Sequence, residues 1–589
     1  MKDFLKTLLA TFIGALAALA LCSFIFLGIA GAVLALGSSD SAVIVPHSAI
    51  LKIDFSQPVK ERGSDDPFSD LSSLSFKPAE KSLGILSAVQ AVERAAFDPS
   101  IRFIYMNLSS MNIGMSQLEE LRDAVEKFRK SGKPVVAYAT NYSQGAYYMA
   151  TVADKIYMEK EGNAMIFGLG TNIMFFKDLL NRLGVDVQLI RHGKFKAAAE
   201  QYVASGISKE NYEQNKEMID SIWESWVTDI CGSRGIDPAQ LNSLTDNLEL
   251  YSAKSLKEYK LVDEIVTRDE MTGVLCNLFG VEKDKDLKVI SLANYAEAVI
   301  KPNIKVKDKI AVIYADGEIT MSDPQGLSVK KFYPLIRKAG EDPTVKAVVL
   351  RVNSPGGDAQ AAEILNNELQ IVAGRKPVVV SMGEYAASGG YWISANSDKI
   401  FADRTTITGS IGVFSMALNY GEGLKKHLDI NAVEIGSNKH STMYSGLEPL
   451  DSKEVEFMQG MVEDIYTQFT ELVSNGRDLS VDYVDEVGQG RVWTGADAVR
   501  LKLADEIGGI SDALDYAAAA ADLAVYRIVE YPVAKTPMEQ FMEMLQGTEA
   551  AVKAFASPVE TLRGIYTNMV EGEFRVYARH PFHYEFNWK

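Results

Sequence analysis

At 589 residues the chain exceeds what one hydrophobic core supports, so two or more domains are expected. Its composition, 47% apolar and 23% charged, is that of an ordinary globular protein rather than a disordered or fibrous one. A net charge of −18 argues against a nucleic-acid partner, because neutralising phosphates requires a cationic surface.

In chain order, Lys2 and Lys6 precede an uncharged stretch from Thr7 to Ser39. That run is longer than the apolar region of a cleavable signal peptide and long enough to cross the ~30 Å of a bilayer core. Residues 1–40 therefore read as a single membrane anchor that meets lipid through residues 7–39. Lysines before the span and Asp40 after it favour an N-in, C-out orientation. The rest of the chain would then lie on the extracytoplasmic, periplasmic side of the inner (cytoplasmic) membrane. Cys22 falls mid-span behind the bulky Leu21, which argues against lipid attachment.

Beyond the anchor the sequence repeats itself. Lys133-Pro134-Val135-Val136 returns as Lys376-Pro377-Val378-Val379, and Gly114 returns as Gly357. Ala153-Asp154-Lys155-Ile156 matches Ser397-Asp398-Lys399-Ile400, and Leu261-Val262-Asp263-Glu264-Ile265 matches Leu503-Ala504-Asp505-Glu506-Ile507. The separated blocks share offsets of 242 to 244 residues, which means duplicated domains, since solenoid repeats have far shorter periods. Within a copy, strand-like and helix-like patterns alternate. Val345–Val352 is a β-branched run ending at Asn353-Ser354-Pro355-Gly356-Gly357, a helical pattern spans Ala359–Ala373, and a strand from Val378 is expected to turn at Gly383. Buried strands separated by helices argue for parallel βαβ units. The reading is two α/β domains, 41–300 and 301–540, and a tail, 541–589, helical and then aromatic-rich. Packing against a neighbouring subunit is the expectation for that tail.

The copies differ where chemistry is at stake. Gln144, in Tyr142-Ser143-Gln144-Gly145-Ala146, falls opposite Ser388, in Ala386-Ala387-Ser388-Gly389-Gly390. Serine needs a base to become a nucleophile. No histidine lies near Ser388 in sequence, the Gly-x-Ser-x-Gly elbow is missing, and His427 and His440 sit among lysines as on a basic surface. A lysine base remains, usable where desolvation lowers its pKa. Lys196, in Gly193-Lys194-Phe195-Lys196-Ala197-Ala198-Ala199, is expected to begin a helix-prone alanine run after a glycine turn. Its counterpart in the second copy is Ser441, so each copy has lost what the other keeps. The Pro355-Gly356-Gly357 turn could aim amides at a developing oxyanion, whereas Asn112 and Ile113 stand there in the first copy. Cys231 and Cys276 could form a disulfide, although two buried thiols are favoured. The six histidines form no ligand pair, so neither a metal nor a cofactor is expected.

These residues, together with Thr408-Gly409-Ser410-Ile411-Gly412, resemble the signal peptide peptidase A family in its long, two-domain form, within the ClpP/crotonase superfamily. The resemblance spans nearly the whole chain. It implies tandem ClpP/crotonase-like domains and a serine endopeptidase with a Ser/Lys dyad, Ser388 as nucleophile and Lys196 as general base. By the same match Ser410 would orient the lysine, and backbone amides of Gly357 and Gly389 would form the oxyanion hole, with Gly356 the alternative donor in the Pro-Gly-Gly turn. It further implies ATP-independent cleavage of peptides such as released signal peptides, and a homotetramer. A crotonase-like acyl-CoA enzyme and a catalytically idle membrane scaffold are the competing readings, and the anchor and the split dyad weigh against them. Whether Lys196 and Ser388 pair within or between chains is not legible at this level.

Overall fold

The structure is a computed structural model and describes residues 14, 43–63, 81–301, 303–323, 326–533 and 577–579. Residues 45–63, 82–532 and 570–589 form one compact unit, to which all that follows belongs. Residues 1–44, 64–81 and 533–569 form another, and only five of its residues (14, 43, 44, 81 and 533) are described. The expected membrane span lies outside the described residues except for Gly14, and so does the tail except for 577–579. Among the described residues no helix is long and apolar enough to cross a membrane.

The first copy builds strands β1 (Ala49–Asp54), β2 (Ile101–Asn107), β3 (Val135–Ala139), β4 (Lys155–Glu159), β5 (Asp186–His192), β6 (Glu264–Val266) and β7 (Val289–Ser291). Six of them form a sheet in the order β6-β4-β3-β2-β1-β7, every pair parallel. The second copy builds β8 (Lys309–Asp316), β9 (Val345–Ser354), β10 (Gly356–Asp358), β11 (Val378–Ala387), β12 (Lys399–Ala402), β13 (Ile407–Gly409), β14 (Val413–Asn419), β15 (Val492–Thr494), β16 (Glu506–Ile507) and β17 (Arg527–Tyr531). Its main sheet runs β15-β13-β11-β9-β8-β17, with β12 lying between β11 and β16. All pairs are parallel except β13 with β15.

The duplication is visible in register. Ala49 faces Ile101 and, after a bulge, Ile50 faces Phe103, while Lys309 faces Val345 and, after the same bulge, Ile310 faces Ala347. The repeated motifs repeat their physical roles. Val135 N and Val378 N each donate to the aspartate of the next strand's entry, Asp154 and Asp398, at 2.8 Å. Tyr147 and Tyr391 hydroxyls donate to the Leu261 and Leu503 carbonyls at 2.7 and 2.8 Å. Lys133 and Lys376 each cap carbonyls at the end of a preceding helix and its turn.

Helix α1 (Met115–Lys130) of the first copy and α2 (Ala359–Ala373) of the second are equivalent crossovers. The latter starts where the sequence places it because the Asp358 side chain accepts from Ala361 N at 2.8 Å, a cap worth about 1 kcal/mol. Its Leu365 and Leu369 bury against Val348, Leu350 and Val380 on one face of the main sheet. On the other face Val349, Val379 and Ile310 pack against Ile510, Ala513, Leu514 and Ala517, joined by Leu86 of the first copy.

The expected turn at Gly383 does not occur. Strand β11 continues through it to Ala387, with a register shift against β9 between Met382 and Ala386 where it passes from β12 to β13. The glycine is there for a different reason, since a Cβ at that position would lie 2.5 Å from Glu61 Oε1.

Candidate active site

Strand β11 delivers Ser388 at its end, immediately before the short helix Gly389–Trp392. Ser388 is fully buried and holds a left-handed backbone conformation, φ 56 and ψ −115. Such strain persists only when the surroundings over-determine it. Here Ser388 N donates to Gly409 O at 2.8 Å, extending the pairing of Ala387 with Gly409 on β13. Ser410, also fully buried and at φ 51, follows directly, its N donating to Arg491 O at 2.7 Å.

Lys196 arrives from the first copy. Strand β5 pairs antiparallel with β14 of the second copy, Val413 facing His192, so the chain leaves β5 beside the Ser410 turn. The following segment docks by main chain, Phe195 N donating to Gln489 O at 3.0 Å, on a loop that is itself tied to the Ser410 turn by Gly490 N donating to Ile411 O at 2.6 Å. Gln214, from helix α3 (Lys209–Arg234, first copy), donates to Phe195 O at 3.0 Å, and Arg191 donates to Lys196 O at 2.8 Å. Ala197–Ala199 consequently do not form the expected helix, which begins only at Glu200 and lasts four residues. The clasp consumes the backbone groups that a helix would have used. A Cβ on Gly490, at φ +79, would lie 2.5 Å from Lys196 Cβ and 2.6 Å from its N, so only glycine lets the two backbones meet.

The lysine amine ends 2.8 Å from Ser388 Oγ, 3.1 Å from Ser410 Oγ and 3.2 Å from Ser410 O, all within one chain. Lys196 is fully buried, and desolvation alone pushes its pKa well below the ordinary value for lysine. Among the described residues no carboxylate appears among its partners. Burial favours the neutral form of that amine, and the neutral form is the one that can take a proton from a hydroxyl. Among the described residues, His192 stacks on Tyr466 and meets Glu463, His427 meets Arg182 O, and His440 meets Glu454. Cys231 and Cys276 are both free and buried. Gly357 pairs with Ile319 within β10, and Gly356 N donates to Ser354 Oγ at 3.2 Å.

Gln144, opposite Ser388, is buried and holds the backbone instead: its amide donates to Gly168 O at 2.9 Å and its carbonyl accepts from Phe167 N at 3.1 Å. Ser441, opposite Lys196, is exposed and bonds within its own turn, to Asn438.

One feature of the site's support is illegible in the sequence. Arg351, on β9, is fully buried and donates to Glu61 at 2.6 Å and to Glu120 of α1 at 2.6 Å, and also to Ser381 Oγ at 2.8 Å. Arg404 similarly reaches Glu119 and Asp229 of the first copy. Ion pairs between the copies thus fix the first copy against the strands that carry Ser388.

A buried serine hydroxyl in hydrogen-bond contact with a buried lysine amine is the geometry that activation of a serine nucleophile requires. The comparisons narrow the class. The model of Peptidase family S49 matches residues 127–282 and again 370–524, and the chain belongs to that family. It is a serine peptidase of the SppA type. Protease 4 of Haemophilus influenzae is 35% identical over 466 residues, 76% of this chain and 74% of that one. The chloroplastic serine protease SPPA of Arabidopsis thaliana is 30% identical over 469 residues, 78% of this chain and 69% of that one. Among solved structures, a point mutant of ClpP1 from Listeria monocytogenes covers 34% of this chain and 94% of its own, at 13% identity and a TM-score of 0.23.

Proposed function

We propose that this serine peptidase is a membrane-anchored endopeptidase working through a Ser388/Lys196 dyad. Ser388 Oγ attacks the scissile carbonyl carbon while its proton passes to Lys196 Nζ. Ser410 accepts from the amine and keeps it aimed. Amides of Gly357 and Gly389 receive the oxyanion, the Gly356 amide being engaged with Ser354. The C–N bond then breaks, Lys196 returns the proton to the leaving amine, and water clears the acyl-enzyme by the same steps with the amine again as base. The observation that carries this reading is the 2.8 Å contact between two fully buried groups that have no counter-charge.

The proposed substrates are extended peptides such as released signal peptides, cleaved without ATP. The family resemblance and the apolar run 7–39 support a single-pass protein of the inner membrane, catalytic copies on the periplasmic side, assembled as a homotetramer. The test is acylation of detergent-solubilised full chain by a fluorophosphonate. Mass spectrometry is expected to find the adduct on Ser388, and its loss in Lys196→Ala. Labelling of another residue, or undiminished labelling in Lys196→Ala, overturns the dyad.

A further inference from the structure

Helix α3 of the first copy runs alongside β15 of the second, and its side chains follow that strand residue by residue. Glu213 and Glu217 pair with the Arg491 guanidinium, Gln214 Oε1 accepts from Val492 N at 3.4 Å, and Ser221 Oγ shares a hydrogen bond with Thr494 Oγ1 at 2.8 Å. The Arg491 guanidinium also lies over two rings, 4.6 Å from the centre of Phe195 and 4.4 Å from that of Trp493. Phe195 directly precedes Lys196, and the Arg491 carbonyl receives Ser410 N. The segment that carries the lysine and the strand that seats Ser410 are therefore both held against one helix.

Gln214 bonds to both of them. Its Nε2 donates to Phe195 O at 3.0 Å, and its Oε1 takes Val492 N, one residue beyond the carbonyl that holds Ser410. One main-chain partner can only accept and the other can only donate, so the amide has a single orientation. Asn211 Oδ1 accepts from the same Nε2 at 3.2 Å and from Asn215 Nδ2 at 2.7 Å, which fixes it further. All three side chains are buried. The second copy supplies a comparison within the chain. Its helix Ser452–Arg477 has 26 residues, as α3 has, and is capped by Asp451 as α3 is by Ser208. Position by position, Phe457 stands where Gln214 does, and it is exposed. The copy with Ser441 in place of the lysine has no such amide.

We infer that Gln214 is a positioning residue, holding the lysine segment and the Ser410 strand at one fixed separation so that the amine meets both serine hydroxyls at once. This rests on the reading of Ser388 and Lys196 as the dyad. Gln214 acts through the main chain beside the reacting groups. Removing its amide strips Phe195 O and Val492 N of a buried partner, and a shift of about 1 Å at the amine costs up to about 100-fold in rate.

The test uses the full chain in detergent with a fluorogenic peptide. Gln214→Met keeps the side-chain volume and removes both bonds, and kcat is expected to fall about 30-fold with KM within about twofold of wild type. Ser221→Ala removes a bond between the same helix and the same strand, and should leave kcat unchanged. Gln214→Glu keeps the shape, but its carboxyl can donate to Phe195 O only when protonated. Its kcat relative to wild type should therefore be highest at low pH and fall as the carboxyl ionises, a profile that a loss of folded protein does not produce. The charged groups on the elements packed here are Arg491, Glu213, Glu217, Arg191, Glu200 and Lys196. Wild-type kcat in Gln214→Met, or equal losses in Gln214→Met and Ser221→Ala, overturns the inference and leaves the dyad standing. If Gln214→Met does not fold, the Gln214→Glu profile decides, and a ratio to wild type that is flat with pH overturns the inference. Wild-type turnover in Lys196→Met instead brings down the dyad, and the role of Gln214 falls with it.

Discussion

Lys196→Met isolates the amine from everything else the lysine does. Methionine keeps a long unbranched apolar side chain in the buried space but deletes the bonds to Ser388 Oγ, Ser410 Oγ and Ser410 O. General-base removal is expected to lower kcat/KM about 10⁴-fold, or about 5 kcal/mol of transition-state stabilisation. Ser388→Ala combined with Lys196→Met should cost no more than either alone, because the two groups act as a unit. Wild-type kcat/KM should rise with pH as Lys196 loses its proton, with a midpoint below 10.5 because burial favours the neutral amine. Stability has a definite sign as well. With its folded pKa depressed, the lysine binds a proton in the unfolded chain at pH values where the folded chain has none. Stability therefore rises with pH through that window, up to the unfolded lysine's pKa. Lys196→Met removes that slope, so near neutral pH it should be at least as stable as wild type, with the difference closing towards the pKa of a free lysine. Peptide kinetics and urea unfolding at two pH values read both effects. Retention of more than about a hundredth of kcat/KM, or a loss of about 2 kcal/mol near neutral pH, would refute the reasoning, the latter because it implies a charged, well-paired lysine.

Gly490→Ala forces a Cβ to within 2.6 Å of the Lys196 backbone, so the amine should shift and kcat fall about 100-fold while the far-ultraviolet spectrum is preserved. Arg351→Met leaves the carboxylates of Glu61 and Glu120 buried without their partner and should cost about 3–5 kcal/mol in denaturant unfolding. Mixing Ser388→Ala with Lys196→Ala protein under subunit exchange should restore no turnover, since the two groups meet within one chain. Recovered activity would place the pair across subunits.

The local half of this architecture was legible in the sequence. The bounds of Ala359–Ala373 follow from apolar spacing, and Lys-Pro-Val-Val marks the strands β3 and β11 because the lysine and the amide two residues on have equivalent partners in both copies. Complementary loss at Gln144/Ser388 and Lys196/Ser441 singled out a lysine that composition alone would have left on the surface. What escaped depends on residues far apart. Gly383 reads as a turn until Glu61 is seen against it, and nothing local connects Arg351 to partners 290 and 231 positions away. Ala197–Ala199 are helix formers, but Gln214 and Arg191 take the Phe195 and Lys196 carbonyls that a helix through them would have used. Nothing in the aromatic tail indicates that Tyr577–Arg579 would bond to the glycines of β10.

The clasp at Gln489 and Gly490 also sets when the enzyme can exist. On the proposed dyad the base lies at position 196, the nucleophile at 388, and the loop that seats the base beside it at 489 and 490. A chain still emerging from the ribosome carries a base with no nucleophile, then both with no seat to join them, and cannot cut its neighbours or itself. On that reading proteolytic competence is deferred until the chain has been made past Gly490, a safeguard that ordinarily requires a removable pro-segment and here follows from the order of residues along the chain.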